Sequence, residues 1–372
     1  MKVRNFIFFI LLIIMGCVEP FDPEVDTYED VLVVDGTVSD EEVSAKVRLS
    51  RTYSYDQNRS NPEINALVII SDGEGNSYEL EETDDGYYTY SGEDLNPEAG
   101  QFFSIYIMTQ DGLEFGSDYQ EMLESPELDS VYFEDFRNNT SDSYLLREGV
   151  EFYVTTNGGE DKSRYYKWEW EDSWKILPPI NYPDVEYCWQ YSQSRGINIA
   201  TTENLSDNVL ENQFILGIPF TTNKLAIEYS ILLKQYAVTR DNYVYLTKLE
   251  KINEGSGGFF DPIPAALAGN VVCITDPDIP VLGFFEASTV KSKRLFINRD
   301  ELKYGYVATG FEDCEVLYLP DSIYREGNIR DFYYVFEYYN SSVDDTIVVM
   351  SNLRKCYDCS FVGDRRKPNY WP

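Results

Sequence analysis

The stretch Val31-Leu-Val-Val-Asp-Gly-Thr-Val38 opens the folded part of this sequence and predicts its fold class. Val43, Ala45, Val47 and Leu49 follow it and alternate with polar partners. A period of two places all the apolar side chains on one face of a β-strand. The two segments therefore predict neighbouring strands, each with one face turned towards a core.

Further short runs of the same kind continue this pattern. They span residues 66–71, 77–82, 86–90, 102–109 and 113–117. Asp72-Gly73, Asp85-Gly86 and Asp111-Gly112 separate several of them, and Asp-Gly favours tight turns because glycine accepts a positive φ without steric cost. About seven short strands within roughly ninety residues are typical of an immunoglobulin-like or transthyretin-like β-sandwich. We therefore predict such a sandwich over residues 30–124.

The acidic, proline-containing segment between Tyr119 and Leu128 has no clear periodicity, which predicts a domain boundary near residue 125. Beyond it, residues 125–372 remain rich in strand patterns and predict a larger β-rich domain with few helices. One segment differs, because residues 241–253 place apolar residues at helical spacing behind Asp241, a candidate cap. We expect one amphipathic helix there, with its apolar stripe packed in the core.

The N-terminus has the features of a bacterial lipoprotein signal. Lys2 and Arg4 precede an unbroken apolar run over residues 6–15, and Gly16-Cys17 ends it. That run is too short to span a bilayer permanently. An ordinary signal peptide or an anchor helix is the alternative, but neither requires Gly-Cys at this point. We expect a signal peptide over 1–16, lipidation of Cys17 and an acylated tether over 17–29, hence lipid anchoring in the outer membrane.

Composition excludes several classes of function. The chain has no histidine, so Ser-His-Asp and Cys-His mechanisms are excluded, as is the commonest transition-metal ligand. The formal charge is −35, and loss of residues 1–16 would leave 28 basic and 65 acidic residues, a net charge of −37. That charge makes nucleic acid an implausible ligand. Hydrophobic residues make up 43% of the chain, which is enough for a packed core rather than disorder.

Five cysteines follow Cys17 and are candidates for disulfide bonds. In an oxidising envelope compartment, two disulfides and one spare thiol are the simplest arrangement. The Cys-x-x-Cys spacing near the end also fits a redox pair or part of a zinc site, but a staple for the C-terminal tail is favoured. The candidates are Cys188, Cys273, Cys314, Cys356 and Cys359.

Two groups of aromatic residues are candidates for a ligand surface. In an alternating strand, Trp168, Trp170 and Trp174 share one face, where a sugar ring or a peptide could stack. Burial in the core is the favoured alternative for at least two of them. A second alternation, of Tyr187, Trp189 and Tyr191, lies in the loop-rich stretch around Cys188 and is the place where we first expect a ligand.

Other candidate sites are weaker. Acidic pairs are frequent by chance, and no calcium-binding loop of alternating acids that closes with Glu is present, so we predict no metal site and no cofactor. Three Asp-Ser or Asp-Thr triplets resemble acceptors of bacterial O-glycosylation. Their acceptor residues are Ser130, Ser322 and Thr346.

A series of motifs in the second half resembles one protein family. They are Tyr166 to Trp168, Pro178-Pro179, Cys188-Trp189, Gly257-Gly-Phe-Phe-Asp-Pro262, Ala268-Gly-Asn270, Val281-Leu-Gly-Phe-Phe-Glu-Ala-Ser288, Cys356-Tyr-Asp-Cys359 and Lys367-Pro-Asn-Tyr-Trp371. In this order they resemble the domain of unknown function 4249 family over essentially the whole mature chain. The resemblance implies an outer-membrane lipoprotein that works beside a TonB-dependent receptor, and it carries over no catalytic residue.

Three classes of function remain, in a definite order. The first is a non-enzymatic accessory or ligand-capture partner of a TonB-dependent receptor. The second is a free-standing binder of glycan or peptide, and an enzyme comes last because no nucleophile motif accompanies the missing histidine. The acidic residues Glu19, Asp22, Glu24 and Asp26 behind Cys17 are compatible with export to the cell surface.

Overall fold

The computed structural model describes residues 31–52, 61–137, 148–159, 162–181, 186–252, 269–303, 305–326 and 331–372. The expected signal peptide, the tether with Cys17 and the 257–262 motif lie outside these residues. Across the described ranges the chain is mainly β with two α-helices, which confirms the predicted fold class. No helix within those ranges is long and apolar enough to cross a membrane.

The described residues between 31 and 124 contain nine strands, and most of their bounds lie within two residues of the predicted runs. They are β1 (Leu32–Val38), β2 (Ala45–Arg51), β3 (Leu67–Asp72), β4 (Ser77–Glu79), β5 (Glu81–Asp84), β6 (Tyr87–Tyr90), β7 (Phe102–Met108), β8 (Glu114–Ser117) and β9 (Gln120–Glu121). Gly86 and Gly112 have positive φ, as an Asp-Gly turn requires. In the hairpin that begins at Asp72, the left-handed residue is Gly75.

The second region has longer strands and one long helix. In chain order they are β10 (Leu128–Arg137), β11 (Glu148–Asn157), β12 (Tyr165–Ile176), β13 (Cys188–Gln193), β14 (Ile199–Thr201), β15 (Val209–Pro219), β16 (Glu228–Ala237) and α1 (Arg240–Lys251). The predicted helix is therefore present, but its first residue is Arg240, one residue before Asp241. Its cap is Thr239, whose Oγ1 accepts a hydrogen bond from the Asn242 N–H at 3.2 Å.

The remaining elements include strands that extend three sheets and form a fourth. They are β17 (Val271–Cys273), β18 (Val281–Ala287), β19 (Val290–Asn298), β20 (Val316–Pro320), α2 (Asp321–Glu326), β21 (Tyr333–Asn340) and β22 (Asp345–Ser351). Helix α2 lies against β20 and β22, whose sheet has the strand order β20-β22-β21.

The first region is a sandwich of two sheets around one core. One sheet has the order β18-β1-β2-β6-β5, and the other has the order β17-β8-β7-β3-β4 with β9 paired to β7. Side chains from both inner faces fill the space between them, as the alternating pattern predicts. Members of this core include Leu32, Val47, Ile70, Phe103, Phe115 and Phe285.

Two strands of this sandwich come from residues 271–287, which lie inside the range assigned from sequence to the second domain. Strand β18 pairs in parallel with β1, with Leu32 opposite Val281 and Val38 opposite Ala287. Strand β17 pairs with β8, and Phe285 is fully buried in the first core. The chain thus leaves the sandwich near residue 125 and returns to complete both of its sheets.

The second core lies between two further sheets. One has the order β13-β12-β16-β19 with β14 also paired to β12, and the other has the order β10-β11-β15. The even-numbered side chains of β12 face this core together with Tyr229, Ile231 and Leu233 of β16. Strand β13 is an edge strand of its sheet, and the candidate site lies beside it.

A buried ion pair joins the two regions. The Lys167 ammonium of β12 donates to the Glu286 carboxylate of β18, and their side chains are 13% and 9% exposed. The Asn242 amide of α1 donates to the other oxygen of Glu286. Lys167 also lies 3.2 Å from Glu169 and 4.7 Å from the ring centre of Tyr236. Charged and polar side chains from four elements thus meet where the sandwich contacts the second region.

Candidate functional site

The first aromatic group does not form a ligand surface as a whole. The side chain of Trp168 is fully buried, and its indole N–H donates to Gln235 Oε1 at 3.0 Å, so its ring cannot face a ligand. Trp170 is half-buried and packs against the same core. Trp168 is therefore not ligand-facing, and the burial of Trp168 and Trp174, which are 0% and 8% exposed, agrees with the expectation that at least two of the three tryptophans are buried in the core.

An open cavity of about 290 Å³ brings together members of both aromatic groups at the edge of β13. Trp174 of β12 and Trp189 of β13 are 8% and 7% exposed, whereas Tyr191 is 50% exposed and forms an outer wall. Tyr187 does not line the cavity; its ring lies 4.1 Å from the Lys175 ammonium. The lining residues are Trp174, Trp189, Gln190, Tyr191, Val362, Gly363 and Asp364.

Gln190 connects the parts of the cavity. Its Oε1 accepts hydrogen bonds from the Trp174 indole at 2.7 Å and from the Asn223 amide at 2.9 Å. Its Nε2 donates to the Val362 carbonyl at 2.6 Å. One side chain thus holds the ring of β12 and the C-terminal segment in fixed positions relative to each other.

The indole N–H of Trp189 is an unsatisfied buried donor. Its nitrogen is buried and has no hydrogen-bond partner among the described residues, although Trp189 lines the cavity. A buried polar group without a partner costs free energy, and such groups in native proteins are commonly satisfied by water or a ligand. Trp189 thus combines a ring that lines the cavity with an N–H that is buried and unsatisfied.

The rim of the cavity carries a charged and a neutral hydrogen-bonding group. Hydrogen bonds from Arg366 lower the pKa of Asp364, so its carboxylate is ionised at neutral pH. Partial burial, together with the charges of Tyr370 and Asp364, raises the pKa of Tyr191, so its phenol keeps its proton. The site can thus offer both an acceptor and a donor beside its ring faces.

The C-terminal segment is fastened to β13 and covers the outer face of its sheet. A disulfide joins Cys188 to Cys359, and Trp189 exchanges backbone hydrogen bonds of 2.8 and 2.9 Å with Asp364. Further along, the ring of Trp371 lies 6.3 Å from that of Trp189, and its indole donates to Glu228 at 3.0 Å. The segment forms one wall of the cavity because these contacts hold it there.

The five described cysteines form two disulfides and leave one thiol. Besides the bond between Cys188 and Cys359, Cys314 is joined to Cys356, 42 residues away. Cys273 is reduced and buried in the sandwich core. Each cysteine of the Cys-x-x-Cys motif thus bonds a distant partner, and both bonds attach the C-terminal tail to the second region.

A charged network lies directly beneath the cavity. The Asp172 carboxylate, whose side chain is 0% exposed, accepts hydrogen bonds from Lys224 at 2.5 Å, from Tyr229 at 2.9 Å and from Ser192. Lys224 also donates to Ser192 at 2.8 Å and lies 4.8 Å from the ring centre of Trp174. Burial and the charge of Asp172 raise the pKa of Tyr229 well above its ordinary value. Through the Lys224 ammonium, the network contacts the Trp174 ring and helps to fix its position.

The other candidate residues lie away from this cavity. Ser130 is half-buried in β10, Ser322 is exposed on α2, and Thr346 is half-buried in β22. Cys17 lies outside the described residues. Within the described ranges, no group of three or more Cys, Asp or Glu side chains could hold a metal ion.

The sequence did not single out most of the polar residues of the site. Gln190, Asn223 and the 362–364 segment carry no motif of their own, and Lys224 and Asp172 stand far apart in the chain. The usable signal was indirect: Cys188 adjoins Trp189, and Cys359 lies just before residue 362. A correct pairing of these two cysteines would have brought the two walls together.

Comparison with known proteins gives one family. The model of the family described as Domain of unknown function (DUF4249) matches residues 18–294, well over half of the chain. That range includes Trp174, Trp189, Gln190 and Tyr191, whereas Val362, Gly363 and Asp364 lie beyond it. No curated protein matches the chain. The protein therefore belongs to the domain of unknown function 4249 family.

Proposed function

We propose that this protein is a non-enzymatic, lipid-anchored envelope protein that captures a ligand in the cavity beside β13 and acts with a TonB-dependent outer-membrane receptor. The observation that carries the binding role is the cavity itself. Two largely buried indoles, an exposed phenol ring and Asp364 meet there on a frame that the bond between Cys188 and Cys359 holds in place. Convergent apolar and polar groups in a cavity are typical of ligand sites.

The chemistry near the cavity favours binding over catalysis. The Ser192 hydroxyl and the Lys224 ammonium, which lie near the cavity, are both engaged by the buried Asp172. An ammonium group paired with a carboxylate is a poor general base, and the Ser192 hydroxyl donates its proton to the same carboxylate. The chain also has no histidine to replace them. A binding role is therefore the simpler use of these residues.

Two features support the anchored location and the receptor. The Gly16-Cys17 end of the apolar N-terminal run supports lipidation, and three acyl chains would give a permanent anchor. The resemblance to the domain of unknown function 4249 family supports a partnership with a TonB-dependent barrel. In this arrangement the barrel transports, and the lipoprotein captures the ligand or caps the barrel.

The test is purification of the tagged protein from its native membrane in mild detergent, after cross-linking, with mass spectrometry of what remains bound. Stoichiometric recovery of a TonB-dependent barrel would support the accessory role. A Cys17→Ser variant is the matched control: it should lose both acyl mass and the barrel. Recovery of the acylated protein alone would contradict the partnership. A free-standing binder of glycan or peptide would then be favoured, provided that the purified chain binds ligand without a barrel.

A further inference from the structure

The outer edge of β13 has unpaired backbone groups next to the cavity. Trp189 uses its N–H and C=O to pair with Asp364 on the side facing away from β12, while Ser194 donates its N–H towards Trp170 of β12. Backbone groups alternate sides along an antiparallel strand, so Tyr191 and Gln193 also point away from β12. Within the described residues, these outward groups have no hydrogen-bond partner.

Within the described residues, the C-terminal segment pairs with β13 at one position. This pairing is a single antiparallel bridge, between Trp189 and Asp364, and no described strand pairs with the β13 edge beyond that bridge. Tyr191 is 50% exposed and Gln193 is also exposed. An open edge strand is a template for pairing with another chain, and proteins usually cover or blunt such edges. Here the open part adjoins the aromatic cavity.

We infer that the ligand is an extended peptide segment that adds as a strand to β13 beyond Asp364 and places an apolar or aromatic side chain in the cavity. This inference rests on the proposed capture function. The peptide backbone would pair with the outward groups of Tyr191 and Gln193, and the side chain in the cavity would lie beside the ring of Trp189. Strand addition of this kind gains affinity from the main chain and specificity from pockets for alternate side chains.

The spacing of the open groups favours a peptide over a saccharide. The outward groups of Tyr191 and Gln193 recur two residues apart, about 7 Å along the strand, which is the repeat of a paired polypeptide. A saccharide could stack on Tyr191 or on the indoles, but it has no matching series of alternating donors and acceptors. It would leave the edge of β13 open.

The test starts with a phage-displayed library of random 12-residue peptides selected against the purified full chain in detergent. Selected peptides are then measured against Gln193→Pro and its matched control Gln193→Ala. Proline removes one outward N–H and leaves the β12 ladder intact, because proline is tolerated on an edge strand where the N–H faces solvent. We expect Gln193→Pro to weaken binding at least tenfold relative to Gln193→Ala. Circular dichroism checks that both variants fold.

A second measurement works even if Gln193→Pro does not fold. An N-methyl group removes the backbone N–H of a peptide residue. In one N-methyl register the methylated residues are those whose N–H faces β13, and these peptides should therefore not bind the wild type. In the other register the alternate residues are methylated, and these peptides should still bind. The indole N–H signals of the five tryptophans in a ¹⁵N-correlated spectrum, assigned through Trp→Phe variants, report where the ligand lies. The Trp189 signal should shift on peptide binding.

The outcomes separate this inference from the proposed function. Equal affinity of the Gln193→Pro and Gln193→Ala variants, or equal binding in both N-methyl registers, would overturn strand addition. A glycan array that yields a saccharide ligand shifting the Trp189 signal, with no peptide selected, would overturn the peptide and leave the capture function standing. If neither library yields a ligand that perturbs Trp189, the inference and the capture function both fail.

Discussion

Cys359 is bonded to Cys188 across 171 residues of sequence, and this one bond places the C-terminal segment against the edge of β13. Trp189 follows Cys188 directly, and Val362, Gly363 and Asp364 follow Cys359 closely. The two walls of the cavity are thus the immediate neighbours of the two sulfur atoms. Reduction would remove the covalent attachment of this wall, so that noncovalent contacts such as the Gln190–Val362 hydrogen bond alone would hold it.

Replacement of both cysteines, Cys188→Ser with Cys359→Ser, should disassemble the cavity. Native disulfides of this kind typically contribute about 2–5 kcal/mol to the free energy of unfolding. We expect a loss in that range, together with greater quenching of Trp189 by acrylamide as the wall departs. Urea unfolding and fluorescence quenching measure the two effects.

The matched control for this variant is Cys314→Ser with Cys356→Ser. That bond closes a shorter loop of 42 residues and does not adjoin Trp189. It should also destabilise the protein, but it should leave the quenching of the cavity tryptophans near the wild-type level at low urea. Similar quenching in both double variants would contradict the assignment of the wall to the Cys188–Cys359 bond.

Lys224→Met should be strongly destabilising because it leaves the buried Asp172 carboxylate without its cation. Removing one partner of a buried ion pair typically costs about 3–5 kcal/mol. The double variant with Asp172→Asn should recover much of this loss, since the amide oxygen can still accept from Tyr229. Urea unfolding of the four proteins gives the double-mutant cycle.

Lys175→Met is the control on the neighbouring strand. Its ammonium is 3.8 Å from Glu228, with side chains 22% and 14% exposed, so the pair is loose and partly solvated. We expect a loss of at most about 1 kcal/mol. A Lys224→Met variant no less stable than Lys175→Met would show that Asp172 does not need its cation.

Local pattern predicted much of the first sandwich, but it could not predict how the sandwich closes. The alternation over Val43 to Leu49 and the Asp-Gly turns depend only on neighbouring residues. The strands and the glycine conformations could therefore be predicted from local sequence. The pairing of Leu32 with Val281 joins residues about 250 apart, and no local preference encodes it. For the same reason Trp189 was a candidate from its alternation, whereas its partners Asp364 and Asn223 were not.

Lys167→Met should give a stability defect that depends on pH. Burial raises the pKa of Glu286, although Lys167 opposes this. Burial would lower the pKa of Lys167, but the charges of Glu286 and Glu169 outweigh it and hold that pKa well above its ordinary value. A raised lysine pKa means that the wild-type pair contributes fully below the ordinary pKa of lysine, including at neutral pH.

Without Lys167, the buried Glu286 carboxylate stands uncompensated at pH 7, at a cost of about 3–5 kcal/mol. Because burial already raises the pKa of Glu286, protonation relieves this cost as the pH falls, and the comparison is made between pH 7 and an acidic pH at which the wild type is still folded. Urea unfolding of Lys167→Met and the wild type at both pH values measures the difference. Adding Glu286→Gln should remove the pH dependence. An equal loss of stability in Lys167→Met at the two pH values would contradict this prediction.

Gly283→Ala should break the closure of the sandwich. Gly283 has φ +109°, and a Cβ there would lie 1.7 Å from the Val34 carbonyl oxygen of β1, so β18 must move away. Gly75→Ala is the control, with φ +96° but nothing within 4 Å, and should cost only about 1 kcal/mol. We expect Gly283→Ala to lose at least about 3 kcal/mol and to expose the buried Cys273 thiol to labelling reagent. Equal losses of stability in both variants, with Cys273 still protected, would show that β18 is dispensable to the core.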